Sequence, residues 1–227
     1  MKKLLALLVP FSMYASAGVI PAPVDHLFVP NGFDNNDNVE LLVTGKFPTN
    51  CYSRNKVESK VTGEILDVTV TSLFDGGRTC ELSNIPFSED ITVGTLQGGT
   101  YEVRVNGKKM GSLKVDESQS DSVDDHIYAQ IDYVELGFTG GLTGSAFLIG
   151  KKTMDCVELD HVEYVSNGTD TLAVLPIMKK VSNDCHEVRS YLEIPIKYDL
   201  GRFNYKQTLL FVRTLDGKSV NGIIDHQ

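Results

Sequence analysis

Four cysteines are the residues of this chain whose type and spacing most clearly define a chemistry. They form two pairs, Cys51/Cys80 and Cys156/Cys185, and the members of each pair lie 29 residues apart. An even number of cysteines at regular spacing is typical of disulfides in exported proteins. We therefore predict one disulfide within each pair. Each would close a loop of about 30 residues and stabilise the fold by roughly 3.5 kcal/mol, because it restricts the unfolded chain.

A zinc site or a catalytic cysteine would need these thiols in a different arrangement. Structural zinc is bound by closely spaced cysteines such as Cys-x-x-Cys, and the sequence contains no such pair. A catalytic cysteine needs a free thiol beside a histidine, whereas all four thiols belong to the two pairs. A serine hydrolase would show Gly-x-Ser-x-Gly, and the segment 141–145 reads Gly-Leu-Thr-Gly-Ser instead. We therefore expect that the protein is not an enzyme.

Histidines beside aspartates are the next candidates for chemistry. His126 follows Asp124 and Asp125, and His161 follows Asp160. Imidazole and carboxylate together suit zinc, but exposed polar loops have the same composition, and we interpret these residues as loop residues. His126 and its two aspartates are the one polar cluster that we find in a single half of the chain.

A run of oxygen-bearing side chains, Asp34-Asn35-Asn36-Asp37-Asn38, precedes the first long apolar segment. Oxygens at alternate positions can ligate calcium, which extracellular modules bind at millimolar concentrations. Asn and Asp also initiate turns by bonding to their own backbone, and the run lacks the glycine and the glutamate of an EF-hand loop. Calcium is the one cofactor that the sequence suggests, with Asp34, Asn36 and Asn38 as its ligands.

The two cysteine pairs also indicate an internal duplication, because the second pair lies 105 residues after the first. Shifting residues 45–85 by 105 positions without a gap gives seven identities over 41 positions. Val68 aligns with Ala173, and the segment 103–108 resembles 212–218. A period near 100 residues is that of whole domains, since solenoid repeats run at about 20–50 residues. The sequence therefore predicts two copies of one disulfide-closed domain.

The N-terminus has the layout of a secretory signal peptide over residues 1–17. Lys2 and Lys3 precede an apolar stretch, and Ala15-Ser16-Ala17 provides the small residues of a cleavage site. We therefore predict export, either to the periplasm or out of the cell. No later segment reaches 18 consecutive apolar residues, so no membrane span is predicted.

Strands are the elements that must position these residues. In Lys56 to Val61 the charged side chains alternate with Val57, Ser59 and Val61, and Asn106-Gly107 is a hairpin signal. Each half contains about seven such segments separated by turns, and no long window has helical periodicity. The predicted fold is all-β, with two tandem immunoglobulin-like antiparallel β-sandwich domains, and each domain contains one of the two disulfides.

Composition divides the mature chain into two domains of similar length. The segment 117–126 is rich in Ser and Asp and is the predicted acidic linker. Domain 1 is predicted at 18–116 and domain 2 at 127–227, and each is long enough to bury its own core. The formal net charge of −9 becomes −11 once Lys2 and Lys3 are removed. Because an acidic surface repels phosphate groups, nucleic acid is not an expected partner.

With this strand pattern and two disulfides, the chain resembles secreted bacterial tandem immunoglobulin-like β-sandwich proteins. It has no Trp, and its paired cysteines are too close in sequence for the usual bridge between two sheets. We therefore expect each disulfide to join neighbouring strands, or a strand and a loop. The length and export are also similar to those of periplasmic pilus chaperones, which donate an exposed apolar strand to a subunit. That resemblance implies an edge strand at Tyr101 to Val105 and a more apolar partner strand at Thr208 to Val212.

These observations favour a non-catalytic exported protein that binds a protein or another cell-envelope ligand, or that has a structural role. Loops on a disulfide-stiffened sandwich bind with little ordering cost. No feature of the sequence defines the oligomeric state. The alternatives are a hydrolase whose site is dispersed across the sandwich and a periplasmic chaperone-like subunit binder.

Overall fold

The computed structural model describes residues 17–226 except residues 121, 123, 138–142, 200, 202, 204 and 205, and residues 1–16 of the predicted signal peptide lie outside it. The described residues form strands joined by turns, with one 3₁₀ turn at Leu215–Gly217. None of the described residues belongs to a helix long and apolar enough to cross a membrane. The strands are β1 (Gly18–Pro21), β2 (Val24–Phe28), β3 (Phe33–Asp34), β4 (Val39–Thr49), β5 (Tyr52–Thr62), β6 (Ile65–Phe74), β7 (Leu82–Gly94), β8 (Gly99–Val105), β9 (Lys108–Asp116), β10 (Ile127–Tyr128), β11 (Gln130–Leu136), β12 (Thr143–Met154), β13 (Val157–Ser166), β14 (Thr171–Lys180), β15 (Glu187–Asp199), β16 (Gln207–Thr214) and β17 (Lys218–Asp225).

Each half of the chain folds into two sheets. In the first half, sheet A has the order β1-β6-β8-β9-β3 with β5 beside β6, and sheet B has the order β2-β4-β7. In the second half, sheet C has the order β10-β14-β16-β17 with β13 beside β14, and sheet D has the order β11-β12-β15. We refer to β1–β9 as domain 1 and to β10–β17 as domain 2. The prediction of an all-β fold with two tandem sandwich domains is confirmed.

The duplication is visible in the register of the strands. Thr44 pairs with Ser88 in sheet B, and Ile149 pairs with Glu193 in sheet D, so both partners are displaced by the same 105 residues. The register of β4 against β7 therefore recurs in β12 against β15. A one-residue slip would exchange the two faces of a strand, so a shared register means that both copies present equivalent residues on equivalent faces.

A repeated glycine marks the same irregularity in both domains. Gly45 and Gly150 each stand opposite a bulge in the neighbouring strand, β2 or β11. A Cβ atom at Gly45 would lie 2.2 Å from the carbonyl oxygen of Pro23, and one at Gly150 would lie 1.9 Å from that of Gln130. Only glycine allows two backbones to approach so closely, which explains why both copies have glycine here.

Shifting the sequence by 105 residues without a gap misaligns one strand, β14, by one residue. Val68 of β6 pairs with Ser59, and the counterpart of Ser59 in domain 2 is Tyr164 of β13. Tyr164 pairs with Val174, so the counterpart of Val68 is Val174 and not Ala173. The turn between β13 and β14 is longer than the turn between β5 and β6, and it absorbs the extra residue.

Each sandwich contains a parallel pair of strands, β6–β8 or β14–β16. The chain leaves sheet A after β6, forms β7 in sheet B and returns as β8, so β8 runs in the same direction as β6. The predicted edge strand at Tyr101 to Val105 is part of β8, which lies between β6 and β9. Its predicted partner at Thr208 to Val212 is part of β16, which lies between β14 and β17. Both strands are central, so the prediction of edge strands there is wrong.

Both predicted disulfides are confirmed. Cys51 and Cys80, with Cα atoms 5.4 Å apart, join the β4–β5 turn to the loop before β7. Cys156 and Cys185, with Cα atoms 4.9 Å apart, join the β12–β13 turn to the loop before β15. In each domain these two connections carry the chain from one sheet to the other. The bridge therefore closes the hairpin between them and stays at one end of the sandwich.

The core of domain 2 lies between sheets C and D and includes Leu148, Val174, Ile194, Ile196, Leu210 and Val212. The core of domain 1 lies between sheets A and B, and its buried cluster continues into sheet C, where it includes Leu175, Leu209 and Phe211. β14 and β16 are therefore buried on both faces. Double burial explains why both strands have nearly uninterrupted apolar sequences, as strands covered on two sides generally do.

Candidate functional site

The surface where the outer face of sheet C packs on the outer face of sheet B joins the two domains, and we call it the joint. Phe28 of β2 is completely buried at its apolar centre. Hydrogen bonds surround that centre: His26 Nε2 lies 2.7 Å from Asp170 Oδ2, and Asn221 Nδ2 donates to Asp90 Oδ1 over 2.8 Å. The joint therefore combines an apolar centre with a polar rim, as stable protein interfaces do.

Arg213, near the end of β16, is a buried cation in the joint. Its guanidinium donates two hydrogen bonds to the Asp37 carboxylate, one of them 2.8 Å long from Nη1 to Oδ2. The same group lies 3.4 Å from Asp124 Oδ2 and 4.7 Å from the centre of the Tyr128 ring, within the range of a cation–π contact. Asp37 belongs to domain 1 and Asp124 to the linker segment. The Arg213 side chain of domain 2 therefore bonds to both domain 1 and the linker.

The three predicted calcium ligands lie beside this ion pair. Asp34 Oδ1 accepts a hydrogen bond of 3.2 Å from the Asn36 backbone N–H, and Asn36 Nδ2 donates to the Ser122 carbonyl oxygen over 3.2 Å. Asn38 Nδ2 donates to the Gly217 carbonyl oxygen over 2.7 Å. No group of three or more His, Cys, Asp or Glu residues is arranged to hold a metal ion within the described part of the chain. Calcium binding stays a prediction, and the structure adds a second role for two of these residues: Asn36 holds the linker and Asn38 holds domain 2.

The carboxylates around this ion pair have pKa values that move in opposite directions. Partial burial and the neighbouring charges of Asp37 and Asp125 raise the pKa of Asp34 to about 6. Burial also raises the pKa of Asp124. Hydrogen bonds from the Ser120 hydroxyl and from backbone N–H groups hold the pKa of Asp125 below its usual range. Asp34 is therefore a carboxyl group that titrates close to neutral pH.

In the histidine and aspartate cluster that the sequence indicated at the linker, the two aspartates have different partners: Asp124 contacts Arg213, and Asp125 accepts from Ser120. His126 donates its backbone N–H to Asp124 Oδ1 over 3.0 Å, while Asp124 also lies against Arg213. His161 Nδ1 lies 2.8 Å from Asp160 at the surface of domain 2. The residues that gather at the joint come from distant parts of the chain. The run from Asp34 to Asn38 and the linker aspartates stood out in the sequence, but no motif connected them with Arg213.

A groove of about 620 Å³ opens beside the joint, and sequence motifs gave no indication of it. It has the size of a small-molecule site. His226 Nε2 lies 2.7 Å from Thr208 Oγ1 on one wall. The charged and imidazole side chains that line it are Asp25, His26, Lys46, Lys206, Asp225 and His226. Because lysines and aspartates are present in equal number, the groove selects for neither sign of charge.

The outer face of sheet D is the counterpart of the sheet B face that is covered in the joint, and we call it the open face. Rows of paired residues cross the three strands of each sheet at equivalent positions. The row His26–Thr44–Ser88 corresponds to Tyr133–Ile149–Glu193, and the row Phe28–Leu42–Asp90 corresponds to Glu135–Phe147–Pro195. On the other side of the Thr44 row, Lys46–Pro86 corresponds to Lys151–Tyr191. The two faces are therefore comparable residue by residue.

The two faces differ in how far their large apolar side chains are exposed to solvent. Phe28 and Leu42 are 0% and 3% exposed in the joint. On the open face, Tyr133 is 51% exposed, Phe147 is 37% exposed and Tyr191 is 67% exposed. Large aromatic side chains therefore meet solvent on the same face that domain 1 buries.

Part of domain 1 is similar to a known family of β-sandwich domains. The family model of the ORF11 beta-sandwich domain matches residues 41–115. The match extends from β4 to β9 and supports a β-sandwich for domain 1. Neither the curated proteins nor the solved structures provide a match to this chain.

Proposed function

We propose that this chain is an exported, non-catalytic binding protein that acts as a rigid two-domain scaffold. The observation that carries the proposal is the joint, where residues of both domains belong to one buried cluster. The domains cannot reorient without exposing that cluster and separating the Arg213–Asp37 pair. The outer surfaces are therefore held in fixed relative positions, and a rigid surface loses little entropy when it binds a partner.

Export is supported by the two disulfides, since such bonds form and persist in oxidising compartments. The N-terminal sequence of Lys2, Lys3 and the apolar stretch that follows has the layout of a signal peptide. On this basis the protein works in the periplasm or outside the cell. Its acidic net charge of −9 favours a protein or cell-envelope ligand over nucleic acid.

The non-catalytic part of the proposal is supported by how the charged groups of the joint are used. Arg213 and Asp37 are both buried and form two hydrogen bonds with each other, and Arg213 also contacts Asp124. Asp170 is likewise buried, and it bonds to His26 and Asn167. Groups in these positions hold the domains together and are not accessible to a substrate.

Chemical cross-linking in the cell that exports the protein tests the proposal. The full chain would carry a C-terminal affinity tag, and adducts would be purified from the exported fraction and identified by mass spectrometry. We expect a discrete adduct with another component of the envelope or medium. The matched control is Phe211→Arg, which places a charge at the centre of the joint and should reduce the yield of the adduct, because the freed domains no longer hold their outer surfaces in fixed relative positions. Circular dichroism of the purified variant checks that the two sandwiches are still folded. Equal capture by the control would contradict the rigid scaffold, and chemical conversion of the captured partner would contradict the non-catalytic role.

A further inference from the structure

The joint is a template for what a sandwich of this kind can bind. Sheet B of domain 1 is covered by the outer face of another β-sheet, with Phe28 and Leu42 buried against it. Sheet D of domain 2 has the same strand order, the same register and the same bulge. Two sheets pack face to face when their twists match, so a face that accepts a sheet in one copy has a shape suited to a sheet in the other.

The side chains of the open face are those of a binding surface. Tyr133, Phe147 and Tyr191 come from three different strands, and Ile149 lies buried among their rows. The Tyr191 hydroxyl donates to Glu193 over 3.0 Å, and partial desolvation together with this carboxylate raises the pKa of Tyr191. Tyrosine is enriched at binding hot spots, because its ring is apolar and its hydroxyl can bond at the edge of the contact.

The charges on and around the open face are predominantly acidic. Glu135 and Glu193 flank the aromatic side chains. Lys151 is held by Asp132, with 2.9 Å between Nζ and Oδ2, and Lys197 lies at the far end of the face. Glu187, Arg189 and Asp199 lie at alternate positions of β15 on the same face as Tyr191, and Arg189 is 3.7 Å from Glu187. Five carboxylates therefore face three basic side chains. A partner whose rim is basic would complement this pattern.

We propose that the open face docks a different exported β-sandwich protein, which contributes an apolar sheet face with basic residues at its rim. The proposal rests on the binding role proposed above and names its partner. A second copy of this chain does not fit, because its sheet C face is already covered by its own domain 1, and its open face would bring two acidic surfaces together. The outer face of its sheet A is also unsuitable, because Glu102 pairs there with both Arg104 and Lys109 at 2.7 Å.

Site-specific photo-cross-linking tests the docking. A photoreactive amino acid would replace Tyr191 on the open face or, as the matched control, the exposed Thr69 on the outer face of sheet A. Each full-length variant would be exported from the native cell and irradiated, and the cross-linked peptides would be identified. The partner would then be purified and its affinity measured for the wild type, for the double variant Tyr191→Ala/Phe147→Ala and for Thr69→Ala.

We expect an adduct from position 191 and none from position 69, with the cross-link in a sheet face of a β-sandwich protein. The double variant should bind at least about tenfold more weakly, as hot-spot aromatic residues do when truncated, and Thr69→Ala should bind as the wild type does. An adduct with a second copy or with a glycan would overturn the docking proposal. So would a partner captured by the tagged chain that never cross-links through position 191, and in that case the binding role would still stand. Absence of any partner in both experiments would overturn the docking and the binding role together.

Discussion

The outer faces of sheets A and C are built from equivalent strands, yet one meets water and the other meets domain 1. Their inward residues are apolar in both domains, as with Val68 and Val174. Their outward residues differ at every equivalent position: Asp67, Thr69, Glu102 and Arg104 in sheet A correspond to Ala173, Leu175, Leu209 and Phe211 in sheet C. The inward pattern therefore specifies the sandwich, and the outward pattern specifies whether the sandwich joins another one.

Replacing one outward residue of sheet C by its equivalent from sheet A should produce the largest effect on stability. Phe211→Arg places the residue of sheet A, Arg104, at the equivalent buried position of sheet C. A charge buried in an apolar centre without a partner is strongly destabilising. We expect the free energy of unfolding to fall by more than about 4 kcal/mol, or the domains to unfold in two separate transitions, as measured by urea denaturation.

The reciprocal exchange is the control. Arg104→Phe replaces a partly exposed, salt-bridged residue, and ion pairs at the surface contribute less than about 1 kcal/mol. Its stability should therefore stay close to that of the wild type, although the added aromatic surface should favour self-association in light scattering. If both exchanges had equal effects on stability, the outward residues would not be what distinguishes the two sheets.

Arg213 offers a second contrast, between a buried ion pair and an exposed one. Arg213→Met leaves Asp37 buried without its partner, which typically costs about 3 kcal/mol. Arg104→Met removes a surface pair and should cost less than about 1 kcal/mol. Urea denaturation of the two variants measures the difference. The double variant Arg213→Met/Asp37→Leu should recover much of the loss, and a failure to do so would mean that the neighbouring Asp124 depends on the cation as well.

The tandem organisation and both disulfides could be predicted from sequence, because they depend on spacing and on the local alternation of apolar residues. The one-residue slip in β14 could not, because a longer turn conceals it. The edge-strand prediction failed for another reason. The position of β8 in sheet A is decided by the crossing of β7 to sheet B, and alternation within one strand contains no information about its neighbours.

The joint escaped prediction because its partners are far apart in the chain. Arg213 and Asp37 are separated by 176 residues, and although Asp37 lies in the run from Asp34 to Asn38, no motif connects it with Arg213. One signal was nevertheless present. The runs in β14 and β16 are apolar at successive positions, which is typical of strands buried on both faces, whereas β6 and β8 alternate. That difference between two copies of one domain predicts which outer face is covered.

Asp34 gives a smaller effect that depends on pH. Its pKa is raised to about 6 in the folded protein from an ordinary value of 3.8, so the folded state holds the proton more tightly than the unfolded state does. Stability from this group is therefore greatest below pH 3.8 and is lost as the pH rises through 6. Asp34→Asn keeps an oxygen that can accept the Asn36 N–H and removes the charge. After allowance for solvent screening of this partly exposed group, we expect the variant to be more stable by about 1 kcal/mol at pH 7.

Denaturation of both proteins between pH 4 and pH 8 measures this difference. The difference in unfolding free energy between the variant and the wild type should become smaller towards pH 4, where Asp34 is protonated in the folded protein. Asp160 is a matched control, because hydrogen bonds from Lys179 and His161 lower the pKa of its carboxyl group. Asp160→Asn should not become the more stable protein at pH 7. If the difference in unfolding free energy between Asp34→Asn and the wild type stayed constant over the whole pH range, titration of Asp34 would be excluded as its cause.

Calcium should have the smallest effect, and it tests the predicted ligands directly. If Asp34, Asn36 and Asn38 bind calcium, the ion must compete with the proton on Asp34 and with the hydrogen bonds that Asn36 makes to the linker and Asn38 makes to domain 2. Binding at a calcium concentration near the dissociation constant stabilises a protein by about 0.5 kcal/mol, which corresponds to a rise of roughly 1–2 °C in melting temperature. We expect that rise in millimolar calcium at pH 7 relative to chelator, and none in Asp34→Asn. Magnesium is the control for ionic strength. Identical melting temperatures in calcium and chelator would leave the three residues with the structural role that their hydrogen bonds already define.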